Sequence, residues 1–238
     1  MEKNPDVHLT YGNSLRLGPA CRAPTVSLED HDAPYQVIAG RDLLERLCRE
    51  ARCFISSPTV VVRTAAQKRV GYYRAELVHT DDYEMWMRFA CVGSAAEIQT
   101  VQAVQRSHPQ NRSASVKNVY FWDLYYEAAL ESFFANEGAL VDRSSRLQRI
   151  ARRALSERAY WGSIANLLRG DVRLSLALLR FAVTRNPRTL LIPPLGYLLR
   201  RWNGTKKRSA KSSRKQHGSS VHASVDCRVR FRRGREQD

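Results

Sequence analysis

VHTDDYEMWMRFACVG, residues 78–93, sets two carboxylates side by side ahead of an apolar run that holds a tryptophan and an arginine. The spacing predicts a helix from about Asp81 to Cys91. Asp81 with Glu84 three residues later has the form of a capping box, in which the two acids satisfy first-turn amides reciprocally. Asp82, in the first turn, is favoured by the helix dipole. Met85, Trp86, Phe89 and Ala90 make one buried face, and Arg88 lies four residues after Glu84, the spacing of an ion pair. The same arrangement also suits chemistry. A carboxylate held by backbone amides stays ionised, and at a cleft it can take the proton of a hydroxyl attacking an activated anomeric carbon. Spacing alone leaves the cap and the base both open.

The flanks set the context. PDVHLTYGN reads as a strand, Val7 to Tyr11, ending at a Gly-Asn turn. A loop follows from about Ser14 to Pro34. AGRDLLERLCREARCF is an amphipathic helix whose apolar face is Leu43, Leu44, Leu47 and Cys48. SPTVVVR is a β-branched run suited to a buried strand, and TAAQKRVGYY is a helical turn closed by Gly71. AAEIQTVQAVQRSH reads as a further strand, with Val101 and Val104 among its apolar residues, and HPQNRSAS as a polar loop. Strands and helices alternate, so residues 1–115 predict an α/β layer. Three strands in such a layer leave edges that need partners. Residues 116–202 carry helical periodicity and are expected to pack on that layer. Within them AYWGSIANLLRGDVRLSLALLRFAVTRNP resembles one tetratricopeptide-like hairpin turning at Gly170 and Asp171. Residues 203–238 are Ser-, Lys-, Arg- and Gly-rich, a basic tail whose composition predicts disorder.

The chain has 238 residues, is 43% hydrophobic and carries a net charge of +16. Thirteen of its 39 basic residues, against three acids, fall in residues 200–238. A tail of this kind is a solubilising end or a ligand for polyanions and anionic membrane surfaces. Cys21, Cys48, Cys53, Cys91 and Cys227 form no C-x-x-C pair, the usage of reduced thiols in a cytosolic protein. The start, MEKNPDVHLTYGN, has no apolar h-region. The longest apolar run, TLLIPPLGYLL, is too short to span a bilayer and is interrupted by a Pro-Pro pair.

Three segments in this order resemble the second half of family 2 glycosyltransferases with the GT-A fold, over about residues 4–115. They are NPDVHLTYGN, then SPTVVVRTAAQKRVGYYRAEL, then TDDYEMWMRFACVGSAAEIQTVQAVQRSHPQNRS. The family pairs an acid with Asp ahead of a short apolar-Trp-apolar-Arg helix. A Pro-Ser/Thr-Val-apolar-Val-Arg strand lies upstream and an Arg-x-His-x-x-Asn-x-Ser segment downstream. Here these are Asp81-Asp82 with Trp86 and Arg88, then Pro58 to Arg63, then Arg106, His108, Asn111 and Ser113. The resemblance implies an inverting, nucleotide-sugar-dependent transferase acting on a glycan or lipid-linked acceptor. It makes Asp82 the catalytic base and Asp81 the stand-in for a preceding acid that is usually glutamate. Arg88 buttresses the helix carrying Trp86, and Arg106 and His108 lie near the donor diphosphate or the acceptor.

The family's nucleotide-binding half ends in an Asp-x-Asp motif that holds Mg²⁺ or Mn²⁺ shortly before a segment like NPDVHLTYGN. Here that segment begins at Asn4, so the metal ligands are expected to be absent from this chain. Asp30-x-Asp32 lies in a loop context between Ser27 and Pro34, not at the end of an apolar strand, and is not read as a metal site. The expectation is therefore a transferase half with little activity by itself. The resemblance implies a cytoplasmic location, peripheral to the inner membrane face where the acceptor is lipid-linked. The alternative is a non-enzymatic module touching an anionic membrane or nucleic acid between Arg200 and Arg235. Specific nucleic-acid recognition is not expected, since that segment lacks a helix-turn-helix or zinc signature and holds only Trp202 and Phe231 as aromatics. LLIPPLGYLLRRW ends in an interfacial combination of arginines and tryptophan.

Overall fold

The computed structural model describes residues 1–18, 33–190 and 193–198. Asp30, Asp32, the tail 203–238 and the segment between Arg200 and Arg235 lie outside them. The fold is mixed α/β: a four-stranded mixed sheet packed with helices. The strands are β1 (Val7–Leu17), β2 (Tyr35–Ile38), β3 (Val61–Val62) and β4 (Ser94–Arg106), in the order β2-β4-β1-β3. The central pair, β1 and β4, is parallel, and both outer pairs are antiparallel. A parallel pair needs a crossover, supplied here by α1 (Gly40–Glu50), α2 (Thr64–Val70) and α3 (Asp81–Val92).

Two strands differ from the sequence reading. β1 does not stop at Gly12-Asn13 but runs through it to Leu17, with register shifts on either side of Asn13. The mismatch is a bulge whose extra residues lie in β4, between Glu97 and Ala103, so β1 runs on through the dipeptide. Thr59 stabilises it, since its hydroxyl accepts from the Gly12 amide (3.0 Å) and lies 3.1 Å from the Gly12 carbonyl. A Cβ at Gly12 would stand 2.4 Å from Gln102 Cγ, which favours glycine there. SPTVVVR, read as a strand, instead opens with a 3₁₀ turn at Ser57–Thr59 and leaves only Val61–Val62 in the sheet. Pro58 explains the change, because it fixes φ and removes a ladder donor. β2, a short edge strand, supplies a fourth strand between the end of the segment read as loop and the helix that follows it.

α3 is buried on nearly every side: Tyr83 through Ala90 are all buried. The sequence reading gave it one buried face; such a helix is a core helix, not a surface one. α4 (Val119–Glu137) packs on α3, and α5 (Ser144–Leu167) packs on α1 and on α6 (Val172–Arg185). One continuous core runs from Leu9 and Tyr11 through Leu47, Met85 and Phe89 to Phe133, Leu155 and Phe181. The helical part thus shares its core with the sheet layer. α5 and α6 form the hairpin read from the sequence, with Asp171 capping α6 by accepting from the Leu174 amide at 3.0 Å.

Candidate functional site at the N-terminus of α3

The acid pair sits in the first turn of α3, and the capping box does not form. Thr80 is the N-cap residue; its hydroxyl donates to the Tyr125 carbonyl of α4 at 3.0 Å. Glu84 does not reach back to the cap. It is fully buried and pairs with Arg88 (2.9 Å) and Arg74 (2.8 Å). Two guanidiniums in a dry site outweigh one backbone amide, because charge-assisted bonds are roughly twice as strong as neutral ones. Arg74 also pairs with Glu137 at 2.9 Å and donates to Ser132. Burial raises the Glu84 carboxyl above its ordinary value, while Arg88 and Arg74 pull it back.

Arg88 is buried and spends its remaining donors on the carbonyls of Val70 (2.7 Å) and Tyr72 (2.8 Å). It holds the end of α2 and the following turn, where Gly71 adopts φ 88°, against α3. That turn carries Tyr73, whose ring meets Trp86 edge-on at 6.4 Å. Trp86 is buried, and its indole N–H has no hydrogen-bond partner.

Asp82 is held differently. Its Oδ2 accepts from the Ser57 hydroxyl at 2.6 Å and its Oδ1 from the Tyr83 amide at 2.7 Å. No guanidinium or ammonium pairs with it directly among the described residues. Burial raises its pKa above the usual aspartate value; the Ser57 and Tyr83 hydrogen bonds oppose the shift. Tyr73, Tyr126 and Cys53 all feel its charge. Burial, followed by that charge, pushes the Cys53 thiol well up, so it stays protonated and is a poor nucleophile. Asp81 instead pairs with Arg112 at 3.0 Å near the surface.

Aromatic rings extend away from this point. Tyr83 meets Tyr126 edge-on at 5.2 Å, and Trp122 lies over Tyr126 at 6.0 Å with 30° between the planes. His79, in the left-handed region at φ 75°, is held between Trp122 (5.8 Å) and Tyr125 (5.1 Å). Tyr73 is 49% exposed, so part of this aromatic surface meets solvent.

Arg106 ends β4 and His108 follows it in an exposed turn. The turn is organised by Asn111, which accepts from the His108 amide and donates to the Arg106 carbonyl at 3.0 Å. The His108 ring lies 3.1 Å from Gln110. Arg112, not Arg106 or His108, is the residue of this segment that reaches the acid pair. Ser57, Tyr73, Tyr126 and Arg112 are the neighbours that sequence reasoning missed. Ser57 lies 25 residues from Asp82 and Arg112 lies 31 from Asp81, and no local pattern marks either.

Among the described residues no group of three or more His, Cys, Asp or Glu side chains could hold a metal ion. No helix among the described residues is long and apolar enough to cross a membrane. No known family profile, no curated protein and no solved structure matches the chain.

Proposed function

We propose that the chain is the base- and acceptor-bearing part of an inverting, nucleotide-sugar-dependent glycosyltransferase of GT-A type, acting on a glycan or lipid-linked acceptor. The observation that carries this reading is the setting of Asp82. It is a partly buried carboxylate with a raised pKa, held by a hydroxyl and an amide and not neutralised by a paired arginine. A carboxylate has about four acceptor positions, so two hydrogen bonds leave capacity for a substrate hydroxyl. A raised pKa strengthens it as a base, since Brønsted behaviour favours a pKa closer to the working pH.

In the proposed step Asp82 takes the acceptor hydroxyl proton as that oxygen bonds to the anomeric carbon. The bond from that carbon to the nucleoside diphosphate breaks on the opposite face, and the proton later passes to water. Ser57 and the Tyr83 amide fix the carboxylate's orientation. Tyr73 and the rings of Tyr125, Tyr126 and Trp122 offer apolar faces of the kind that pack on sugar rings. Arg88 acts through the helix it buttresses, and Arg106 and His108 keep the role of contacts to the donor diphosphate or the acceptor. The nucleotide and its Mg²⁺ or Mn²⁺ fall to residues other than those described. The chain by itself is expected to transfer slowly, because leaving-group stabilisation is a large part of such a barrier. The same reading places it in the cytoplasm, at the inner membrane face if its acceptor is lipid-linked.

The test is to express the chain together with the coding sequence preceding Met1 and measure sugar transfer from nucleoside-diphosphate sugars. Asp82→Asn should abolish transfer, by about 10² to 10⁴-fold, while nucleotide-sugar binding persists. Turnover retained in Asp82→Asn, or no nucleotide-sugar binding by the extended product, overturns the reading.

A further inference from the structure

We infer that the turn end of the α5–α6 hairpin is a docking surface for an anionic lipid bilayer. This stands apart from the chemistry of Asp82. The hairpin buries its inner stripe well, with Leu155, Ala159, Leu178, Phe181 and Ala182 all buried. The Ser156 hydroxyl donates to the Ala182 carbonyl at 2.8 Å, and Ser163 and Ser175 hydrogen-bond across the seam. Its outward end is different. Leu168 is 83% and Leu176 60% exposed, and Leu167 and Val172 are exposed beside them. Four large apolar side chains at one turn exceed the scattered apolar residues of an ordinary surface. Trp161 donates to the Pro194 carbonyl at 3.1 Å, which pins the segment carrying exposed Leu195 and Leu198 to α5.

Charge says what covers this end. Residues 144–190 contain ten arginines, no lysine and two acids, whereas residues 1–143 contain sixteen basic residues and eighteen acids. Four of the ten arginines are paired, Arg146 with Glu45, Arg153 with Glu157, Arg158 with Asp123 and Arg185 with Glu127. Arg169 and Arg173 are exposed at the apolar turn and Arg180 is exposed further along α6, and none of them has an ion pair among the described residues. The acid at the turn, Asp171, is engaged as the α6 cap. Exposed leucines ringed by free arginines match a bilayer interface, where apolar side chains enter the acyl boundary and cations meet lipid phosphates. A nucleic acid would satisfy the arginines but leave the leucines in water. No exposed aromatic ring lies between residues 144 and 190 among the described residues to stack a base.

The experiment is co-sedimentation of the full chain with phosphatidylcholine vesicles, with and without phosphatidylglycerol. The chain should partition onto the anionic vesicles and remain in solution with the neutral ones. Arg169→Gln with Arg173→Gln should weaken partitioning about fivefold for each charge removed. Leu168→Asp with Leu176→Asp should weaken it by about tenfold or more. Both leucines are exposed, so circular dichroism and the melting temperature should be unchanged; if the leucine pair misfolds, the arginine pair carries the test. Equal binding to neutral vesicles overturns the inference, and patch variants that partition like wild type overturn it and leave the tail as the contact. RNA binding that survives the leucine changes, with no vesicle binding, also overturns it. Asp82→Asn should bind vesicles like wild type, so failure of the transferase reading leaves this result standing.

Discussion

Asp82 and Glu84 lie two residues apart on one helix, and their surroundings differ in kind. Burial raises both carboxyls. Glu84 is sealed in the core and meets two guanidiniums, which in turn bind Glu137, Ser132, Val70 and Tyr72. Asp82 stands at the rim with a hydroxyl and one amide. A carboxylate whose charge is cancelled on the spot organises structure. One whose charge is only oriented stays available to a substrate. Proximity in sequence therefore says little about role; the donors that each acid faces say more.

The largest effect should come from breaking the sealed side. Arg88→Ala leaves Glu84 buried with one guanidinium fewer and should cost about 3–5 kcal/mol, as loss of one partner of a buried pair does. Urea unfolding reads this, and a cost below about 1 kcal/mol would mean that the network is not a unit. Next is the joint between the two sides. Thr80→Val removes the hydroxyl's added bond to the Tyr125 carbonyl, which keeps its helical partner, and should cost about 0.5–1.5 kcal/mol, seen as a lower melting temperature. Smaller again is Arg112→Ala, which removes a near-surface pair with Asp81 and should cost at most about 1 kcal/mol, fading as salt is added.

The smallest stability effect belongs to the proposed base. Asp82→Asn should change stability by no more than about 0.5 kcal/mol despite its predicted loss of transfer. Its pH dependence has a definite sign. Because the folded state holds the Asp82 proton more tightly than the unfolded chain, the stabilisation is full below the ordinary aspartate pKa. It is lost as pH rises through the raised folded value, so wild type should lose ground to Asp82→Asn from about pH 4 upward. Ser57→Ala should raise the Asp82 pKa further, since the Ser57 hydrogen bond favours the charged form; a carbon-13 carboxyl titration that moves downward contradicts the assignment.

Much of the helical architecture was legible. α1 and the α5–α6 hairpin follow from apolar period and from the Gly170-Asp171 turn, both local signals. α3 was legible as a helix and its Glu84–Arg88 pair by spacing, yet its burial was not, because Arg74, Ser132 and Glu137 reach the pair from other segments. The capping box failed because Arg88, one turn along the helix, and Arg74, from outside it, outcompeted a local amide. Gly12-Asn13 looked like a turn because the Thr59 hydroxyl that holds Gly12 in the strand lies 47 residues away. β2 was hidden because an edge strand with exposed side chains shows neither burial nor clear alternation. Asp82 could be singled out from the residues around it, but Ser57 and Arg112 become its surroundings only after the chain has folded.

The parallel pairing of β1 with β4 also has a cost in time. Val7 pairs opposite Ser94, so β1, once it has left a ribosome, waits for a partner made 87 residues later. At ordinary rates of synthesis that is roughly 4 to 17 seconds. During that interval Leu9 and Tyr11 belong to an unpaired edge, the kind of segment that captures a neighbouring chain. Gly12, a residue that weakens a strand interior, sits midway along that edge and shortens the apolar run it offers.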